Sequence, residues 1–412
     1  MLLLLPTGTY RAADFLAAAS RLGIEVVVGS ERRQAMAASM GDRAVVVPLG
    51  SPGPALEVIV ALDRRYPLDA VVAVDDQGAL VAAAASERLG LVHNPPDAVA
   101  ATRDKTVLRA RLAAAEVPQP AFGVVAPGSP VGPAAGALGY PVVVKPVSRS
   151  GSQGVIRVDD PAGAEPTAAR VRAIVGDEPL LVERYVPGEE VAVEALLRGG
   201  QLSVLAVFDK PDPLDGPYFE ETIYLTPSRH PARSLAAVEA ATAAAAAALG
   251  LREGPVHAEL RIPAPGEATV LELAARSIGG LCSRALRFGA GVSLEELVLR
   301  HALGGGLDEL ARERPASGVM MLPIPAAGVL EAVSGKEEAL AVEGVAGVEI
   351  SVPLGRRLVP LPEGDRYLGF VFARGDRPAD VESALRRAQA ALHFEVRPDP
   401  PDLPAPPPGG EA

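Results

Sequence analysis

The first 95 residues alternate continuous apolar runs with segments in which apolar residues recur at helical spacing. Runs rich in Leu and Val, separated by helices, are typical of a parallel sheet that is covered by helices on both faces. The runs and helical segments are, in chain order, residues 2–5, 11–22, 24–28, 44–47, 55–65 and 70–74. The pattern therefore predicts an α/β domain over residues 1–95.

Residues 94–97, with the sequence Asn-Pro-Pro-Asp, interrupt this alternation and mark a domain boundary. Residues 97–112 have the spacing of a single helix. Short apolar runs of β-type composition then dominate, apart from a polar, proline-containing loop at residues 209–227 and a helix at residues 231–249. We therefore predict a second domain, of α+β type, over residues 96–305.

The last hundred residues predict a smaller α+β unit over residues 306–397. Its predicted strands and helix are residues 319–324, 348–352, 368–373 and 378–392. Beyond them, residues 398–412 are dominated by Pro, Asp and Gly, a composition that cannot bury enough apolar surface to fold. We predict a disordered, proline-rich tail there.

Composition restricts the class of protein. The 412 residues are 49% hydrophobic and 22% charged, which indicates a globular protein of several domains that we expect in the cytoplasm. The net charge of -12 argues against nucleic acid as the main partner, because neutralising its phosphates requires clustered Lys and Arg. A small phosphate ligand needs only a local positive site. The Ala-rich residues 235–249 are too weakly apolar to predict a membrane span.

The single cysteine excludes an internal disulfide framework and any multi-cysteine metal site. We expect Cys282 to be a small buried hydrophobic residue, because the sequence places no base beside it. His257 could approach a metal site, although a structural role is equally compatible with the pattern. Asp75 and Asp76 follow the last apolar run of the first domain, where they could cap the next helix, contact a ligand, or do both.

The first candidate for chemistry is a lysine that ends an apolar run and precedes a loop of Gly and Ser. Lys145 follows three valines, and residues 148–154 form the loop before the next apolar run. Such a hairpin can fold its backbone N–H groups over phosphates while the lysine meets them with its charge. It lacks the Gly-Lys-Ser/Thr and the helix of a Walker A loop. An ordinary hairpin turn with a surface lysine remains the alternative.

A second candidate lies in residues 181–194, where a strand gives way to an acidic, glycine-broken linker and then restarts. The backbone of Tyr185 and Val186 could contact an adenine edge, and Glu190 could accept hydrogen bonds from two ribose hydroxyls. The alternative is a solvated hinge whose charges point outward.

The third candidate is a pair of glutamates on neighbouring predicted strands. Glu259 and Glu272 each alternate with apolar residues, and the short segment between them contains Pro-Gly, so a hairpin would set them side by side. Two carboxylates in a Val- and Leu-rich sheet are costly without a compensating cation. Mg²⁺ prefers such oxygen ligands together with phosphate oxygens. Exposed strand faces are the alternative.

In this order, these features resemble the ATP-grasp superfamily, and more specifically its amino-acid ligase branch, over residues 1–395. The resemblance implies an α/β and α+β ATP-grasp fold, with a Rossmann-like N-terminal domain, a small nucleotide lobe at about residues 120–187, a large lobe and a C-terminal subdomain. Lys105 matches the family's helix lysine and Lys145 its strand lysine. The nucleotide-binding residues that the resemblance implies are Lys105, Lys145, Ser150, Gly151, Ser152, Gly154, Glu183, Tyr185, Val186 and Glu190, with Glu259 and Glu272 as ligands of Mg²⁺ or Mn²⁺.

The resemblance extends to the substrate side. Residues 209–229 are similar to the substrate loop of the amino-acid ligases, whose acidic residue matches Glu221. The family often has a histidine at the position of Tyr224, which bears on amino-acid selectivity. Arg276, followed by Gly279 and Gly280, matches an arginine that binds the substrate carboxylate or the transferring phosphoryl group. Many members have an asparagine where this chain has Ala274. A second metal ion could therefore lack one ligand, or Glu259 and Glu272 could suffice together with phosphate and water.

The resemblance implies an ATP-dependent carboxylate–amine ligase that forms an amide through an acyl phosphate, with Lys145 and Arg276 as catalytic residues. Its substrates are expected to be small carboxylates and amines, such as amino acids, and a homodimer is left open. A bicarbonate-using, carboxylase-type enzyme and an inactive ATP-binding regulatory module are the alternatives. Bicarbonate dependence and the absence of turnover, respectively, would distinguish them.

Overall fold

The computed structural model describes residues 1–33, 41–306 and 311–399. The predicted disordered tail lies outside the described residues from residue 400 onward.

The N-terminal domain contains a parallel four-stranded sheet in the order β3-β2-β1-β4. Its strands are β1 (Leu2–Leu4), β2 (Val27–Ser30), β3 (Ala44–Val46) and β4 (Val71–Ala73), and its helices are α1 (Ala12–Arg21), α2 (Pro52–Asp63) and α3 (Asp76–Leu89). Leu3 packs with Phe15 on one face of the sheet, and Leu4 packs with Ile59 on the other. The predicted parallel sheet with two covered faces is confirmed.

The helix predicted over residues 97–112 is wrong as a single element. The chain forms α4 (Pro96–Arg103) and α5 (Lys105–Ala114), separated by Asp104 in an extended conformation with φ -111° and ψ 105°. The Asp104 carboxylate accepts hydrogen bonds from the backbone N–H groups of Thr106 and Val107 and so caps the second helix. The break makes Lys105 the first residue of α5.

The small lobe is an antiparallel four-stranded sheet in the order β5-β8-β6-β7. Its elements are β5 (Phe122–Val125), α6 (Gly132–Leu138), β6 (Val142–Pro146), β7 (Ile156–Val158), α7 (Pro161–Val175) and β8 (Leu180–Arg184). Both helices pack against the sheet, and Val144, Ile156 and Val171 are buried in their shared core. β6 and β8 are antiparallel, with Lys145 opposite Leu181 and Val142 opposite Arg184, so Lys145 lies near the end of β6 that is away from the linker after β8.

The large sheet contains eight antiparallel strands. In spatial order they are β13 (Thr269–Ala274), β12 (Gly254–Ile262), β9 (Glu189–Arg198), β10 (Gln201–Lys210), β11 (Ile223–Thr226), β14 (Ala316–Leu322), β18 (Gly369–Gly375) and β16 (Val345–Ile350). The polar loop predicted at residues 209–227 is therefore wrong at its end, because β11 lies inside it. This short strand pairs with β10 on one side and β14 on the other. Strands from residues before and after 305 thus share one sheet.

Helices cover the large sheet, and a smaller sheet completes the C-terminal region. The helices are α8 (Ala232–Leu249), α9 (Leu294–Ala302) and α11 (Pro378–Ala391), and the remaining elements are β15 (Gly328–Ser334), α10 (Lys336–Leu340), β17 (Arg357–Leu358) and β19 (His393–Pro398). Within the described ranges, α8 is the one helix long and apolar enough to span a membrane by length and composition. Its Val238, Ala245 and Leu249 are buried in the core against the large sheet.

Gly188 joins the two lobes at the turn between β8 and β9. Its φ is +110°, and a Cβ atom there would lie 2.3 Å from the carbonyl oxygen of Ile262. Only glycine accommodates both the positive φ and this approach of two backbones. The linker is therefore held tightly against β12, and the edge of the small lobe faces the large sheet.

Candidate functional site

A cleft of about 500 Å³ lies where the small lobe, the large sheet and the loops of the N-terminal sheet meet. Nearly all site residues predicted from the sequence line it: Lys105, Lys145, Ser150, Gly151, Ser152, Glu183, Tyr185, Val186, Glu190, Glu221, Tyr224, Glu259, Glu272, Arg276, Gly279 and Gly280. Gly154 is the exception. A Cβ atom there would lie 3.2 Å from the Pro146 ring, so Gly154 serves the packing of the hairpin.

Lys145 is fixed at the end of β6 by a buried ion-pair network. Its Nζ lies 2.8 Å from Glu183 Oε2, while Arg109 Nε donates to Glu183 Oε1 at 2.6 Å. Burial raises the pKa of Glu183, but Arg109 and Lys145 outweigh it and bring the pKa to about 2. Glu183 therefore stays ionised and holds the lysine, with both of its oxygens engaged by cations.

Lys105 connects the glycine-rich loop to one of the predicted metal ligands. Its Nζ donates to the carbonyl oxygen of Arg149 at 2.6 Å and lies 3.4 Å from Glu272 Oε2. Its own backbone N–H donates to the carbonyl oxygen of Val147 at 3.0 Å. The helix start created by Asp104 thus places a buried ammonium between the loop and the large sheet.

The flap, defined here as residues 148–154, is folded down onto a C-terminal loop formed by residues 360–365. The backbone N–H of Gly154 donates to Pro362 O at 2.8 Å, and Gln153 Nε2 donates to Glu363 O at 2.8 Å. Arg170 on α7 reinforces this contact through a two-point ion pair with the Glu363 carboxylate, at 2.7 and 3.1 Å. The flap therefore closes one side of the cleft.

Tyr185 and Val186, predicted to contact adenine, lie on the linker between the lobes and face the buried Arg261. This arginine donates to the Tyr185 hydroxyl at 2.8 Å and to the Val186 carbonyl oxygen at 3.0 Å. Its Nε also donates to Glu190 Oε2 at 3.1 Å. Arg261 thus fixes both the linker and the glutamate predicted to bind ribose.

Lys210, at the end of β10, is surrounded by three carboxylates. Its Nζ lies 2.7 Å from Glu190 Oε1 and 3.6 Å from Glu259 Oε2, and it donates a short hydrogen bond to Glu221. Burial lowers the pKa of Lys210, but the three glutamates outweigh it and raise the pKa well above its usual range. A full positive charge is therefore buried beside the three glutamates that line the cleft.

The donor set of this region fits a divalent cation. Carboxylate oxygens of Glu190, Glu221 and Glu259 lie within 4.8 Å of one another. Glu259 and Glu272 are direct partners in the β12–β13 ladder, as the hairpin argument predicted. Burial raises the pKa of Glu259, but Lys210 and His257 outweigh it and hold the pKa far below its usual range. Carboxylate oxygens are donors that suit Mg²⁺ or Mn²⁺, and Ala274 adds none.

Arg276 is aimed into the cleft by an aspartate of the N-terminal domain. Its Nε donates to Asp76 Oδ2 at 2.8 Å. Burial lowers the pKa of Arg276, but Asp76 outweighs it and the pKa is raised. Asp75 precedes α3 but makes no side-chain capping bond. Asp76 instead contacts Arg276, a residue that lines the cleft. Gly280, with φ +59°, lies against the Phe370 ring.

Three further residues discussed from the sequence lie around the acidic cluster. The Tyr224 hydroxyl donates to Glu221 Oε1 at 2.6 Å, so the tyrosine occupies one oxygen of the predicted substrate-binding glutamate. Burial raises the pKa of Glu221, and the neighbouring Glu259 raises it further. His257 lies 3.7 Å from Glu259. Cys282 is buried, as expected, and burial raises the pKa of its thiol.

Sequence reasoning did not single out Lys210, Arg109 or Arg261 as site residues. For Lys210 a signal was present, because the chain contains only four lysines: Lys105, Lys145, Lys210 and Lys336. In a sequence that otherwise uses arginine, a lysine can mark a position where a compact ammonium is required, as at the three buried lysines but not at the exposed Lys336. For the two arginines no such signal exists, since their partners lie far away along the chain.

Three family models match the chain in succession. The model described as ATP-grasp N-terminal domain matches residues 16–93, the one described as ATP-grasp domain matches residues 138–285, and the one described as L-amino acid ligase C-terminal domain 2 matches residues 320–397. The predicted resemblance and fold class are thereby confirmed.

Individual relatives agree with these matches. The crystal structure of L-amino acid ligase from Bacillus licheniformis superposes with a TM-score of 0.81 at 25% identity, covering 96% of this chain and 98% of that chain. Alanine–anticapsin ligase of Bacillus subtilis is 25% identical over 59% of this chain and 56% of its own length. The carbamoyl phosphate synthase large chain of Streptomyces avermitilis is 29% identical over 65% of this chain and 23% of its own. The chain thus spans less than two thirds of the length of these curated relatives.

Proposed function

We propose that this chain, which belongs to the ATP-grasp proteins, is an ATP-dependent ligase that joins a carboxylate to an amine, with amino acids as its substrates. The observation that carries the proposal is the convergence of Lys105 and Lys145 on one cleft that also contains Glu259 and Glu272, with the buried Lys210 close to Glu259. The match of residues 320–397 to an L-amino acid ligase domain and the likeness to a solved L-amino acid ligase support the amino-acid class. We retain residues 1–95, 96–305 and 306–397 as the units of the proposal, with residues 306–397 as a subdomain whose strands share the large sheet with residues 96–305.

Lys105 and Lys145 would bind the triphosphate, because both line the cleft at the edge of the small lobe under the flap. Lys210 would act indirectly, by holding Glu190, Glu221 and Glu259. Mg²⁺ or Mn²⁺, when bound, supplies further positive charge beside the phosphate oxygens, and Glu259 and Glu272 are the residues that would hold it. Tyr185, Val186 and Glu190 would receive adenine and ribose, with Arg261 fixing the linker from behind.

The reaction then needs two displacements. A carboxylate oxygen of the first substrate attacks the γ-phosphorus of ATP, and the bond from that phosphorus to the bridging oxygen breaks. ADP departs, and the carboxylate has become an acyl phosphate. The amine nitrogen of the second substrate attacks the acyl carbon, loses a proton and expels inorganic phosphate as the amide forms. Arg276 would offset the negative charge spread over the transferring group, and Asp76 keeps it in place.

Two features of the cleft suit this chemistry. The flap is closed on the C-terminal loop, and such closure protects an acyl phosphate from water. Glu221 and Tyr224 form a polar pair at the substrate end, where the Glu221 carboxylate would bind the amino group of an amino acid.

The test measures ADP release with pairs of free amino acids and identifies the product by mass spectrometry. We expect release that requires both an amino-acid pair and Mg²⁺. Glu272→Ala should abolish it, whereas Glu267→Ala, an exposed glutamate in the same hairpin, should not. ADP release that depends on bicarbonate, without amide product, would support the carboxylase-type alternative. Tight ATP binding without turnover over the whole panel would support a regulatory module.

A further inference from the structure

The loop that carries Arg276 is held from two sides by buried charged residues. From the N-terminal domain, Arg11 donates to the Ser277 hydroxyl at 2.7 Å and to the Ser277 carbonyl oxygen at 3.4 Å. From the large sheet, Glu194 Oε2 accepts the backbone N–H of Ile278 at 2.9 Å. Ser277 and Ile278, the two residues that follow Arg276, are therefore both fixed by side chains distant in sequence.

Glu194 also contacts the surroundings of the predicted metal ligands. Its Oε2 lies 3.2 Å from His257 Nδ1, and His257 Nε2 lies 3.7 Å from Glu259 Oε1. Glu194 and His257 are direct partners in the β9–β12 ladder, so the contact is built into the register of the sheet. One carboxylate thus touches both the arginine loop and the histidine beside Glu259.

Packing alone does not call for a glutamate at this position. Glu194 has no exposed surface, and its neighbours on the same face of β9, Ala192 and Leu196, belong to the hydrophobic core. Its second oxygen, Oε1, has no hydrogen-bond partner among the residues that the structure describes. Burying a carboxylate in such surroundings is costly, and an apolar side chain would fill the same space. The useful property of Glu194 is therefore its two polar contacts.

We propose that Glu194 is a positioning residue that fixes Arg276 relative to Glu259. It does not line the cleft, so it acts through the Ile278 backbone on one side and through His257 on the other. The inference rests on the proposed function, because it assigns Arg276 to the transferring group and Glu259 to the cation. The contact of His257 with Glu259 is at ion-pair distance, 3.7 Å, and polar partners behind a metal ligand orient that ligand and affect both metal affinity and activity.

The experiment compares Glu194→Leu and Glu194→Gln with a matched control, Leu197→Ala, which removes buried volume from the opposite face of the same strand. Calorimetric titration of Mn²⁺ in the presence of a non-hydrolysable ATP analogue measures the metal site without turnover. Steady-state kinetics measures the KM values for ATP and for the carboxylate substrate. Thermal unfolding measures the stability of each variant.

We expect Glu194→Leu to weaken Mn²⁺ binding and to raise the carboxylate KM, each about 10-fold or more, with the ATP KM changed much less. Glu194→Gln keeps an acceptor for the Ile278 N–H and should fall between Glu194→Leu and the unaltered chain. Leu197→Ala should lower the unfolding temperature and leave both constants unchanged. If Glu194→Leu does not fold, the Mn²⁺ titration of Glu194→Gln tests the inference, which predicts weaker Mn²⁺ binding than in the unaltered chain.

Mn²⁺ binding and carboxylate KM that stay unchanged in the Glu194 variants would overturn the inference, because a purely structural residue alters only the amount of folded protein. A chain that shows no amino-acid-dependent ADP release would instead contradict the proposed function. The Mn²⁺ titration would still decide the role of Glu194 in that case, so the two failures are distinguishable.

Discussion

Lys210 Nζ lies 2.7 Å from Glu190 Oε1, so a buried ammonium directly joins β9, which follows the linker, to β10, which leads into the proposed substrate loop. The same ammonium is close to Glu221 and Glu259. Nucleotide, substrate and metal positions of the proposed site therefore share one cation. A change of charge at any of them must alter the electrostatic environment of the other two.

Lys210→Met leaves the three carboxylates without their shared cation, and a buried charge that loses its partner is strongly destabilising. We expect the free energy of unfolding to fall by about 3 to 5 kcal/mol. Mg²⁺ should restore part of this loss, because the remaining oxygens can bind it. Urea unfolding with and without MgCl₂ measures both effects. The exposed Lys336→Met is the control, and a Lys210→Met chain as stable as the control would contradict the prediction.

Glu183→Gln should make the free energy of unfolding less dependent on pH in the acidic range. The folded-state pKa of Glu183 is about 2, below its ordinary value of 4.5. Ionised Glu183 therefore stabilises the folded state fully above pH 4.5, and this contribution is lost as the pH falls toward 2. The pKa difference corresponds to about 3 kcal/mol. Urea unfolding between pH 7 and pH 3 should show the variant less stable at pH 7 and the gap narrowing below pH 4.5. An equal gap at every pH would refute this, and exposed Glu57→Gln serves as the control.

Tyr224→Phe removes the hydroxyl that donates to Glu221 and leaves the packing of the ring intact. A hydrogen bond to a charged group contributes about 1.5 to 3 kcal/mol, so we expect the KM for one amino acid to change by about 10-fold or more. The KM for ATP should be unaffected. Steady-state kinetics over an amino-acid panel makes the comparison. Equal changes in both KM values would show that the tyrosine supports the cleft as a whole.

Arg170→Ala removes the ion pair that holds the flap down through Glu363. The pair is partly exposed and contributes about 0.5 to 1 kcal/mol, so we expect the open flap to gain population by a few fold. More acyl phosphate should then be lost to water, and the ratio of ADP released to amide formed should rise. Arg377→Ala, the control, breaks a two-point pair with Asp380 on the surface and removes no hydrogen bond to the flap or to Glu363. An identical ratio in the two variants would exclude a role of the ion pair in flap closure.

The residues close in sequence were predictable because local pattern determines them. Glu259 and Glu272 were placed side by side from strand alternation and a Pro-Gly turn, and the ladder has this register. The parallel N-terminal sheet followed from its apolar runs in the same way. The split at Asp104 was missed because apolar spacing continues across it, while the capping carboxylate that breaks the helix is a single polar residue.

Long-range pairing was not predictable from pattern. Strand β11 is only four residues long and lies within a proline-containing polar segment, so its local composition favours a loop. It forms because β10 and β14 supply partners on both sides. For the same reason the sequence could not show that Arg261 holds both Glu190 and the linker, since each partner lies more than 70 residues away.

The pairing of β11 with β14 has a consequence for how the molecule comes apart. A continuous hydrogen-bonded ladder runs from the β12–β13 hairpin to β16, and the flap rests on the loop that precedes β18. The C-terminal unit, residues 306–397, thus forms one side of the cleft, and it cannot be separated from the large lobe without breaking this sheet. Heat or urea should therefore unfold the cleft and the C-terminal unit in one cooperative step. Nucleotide bound under the flap should slow the unfolding of strands that it does not contact.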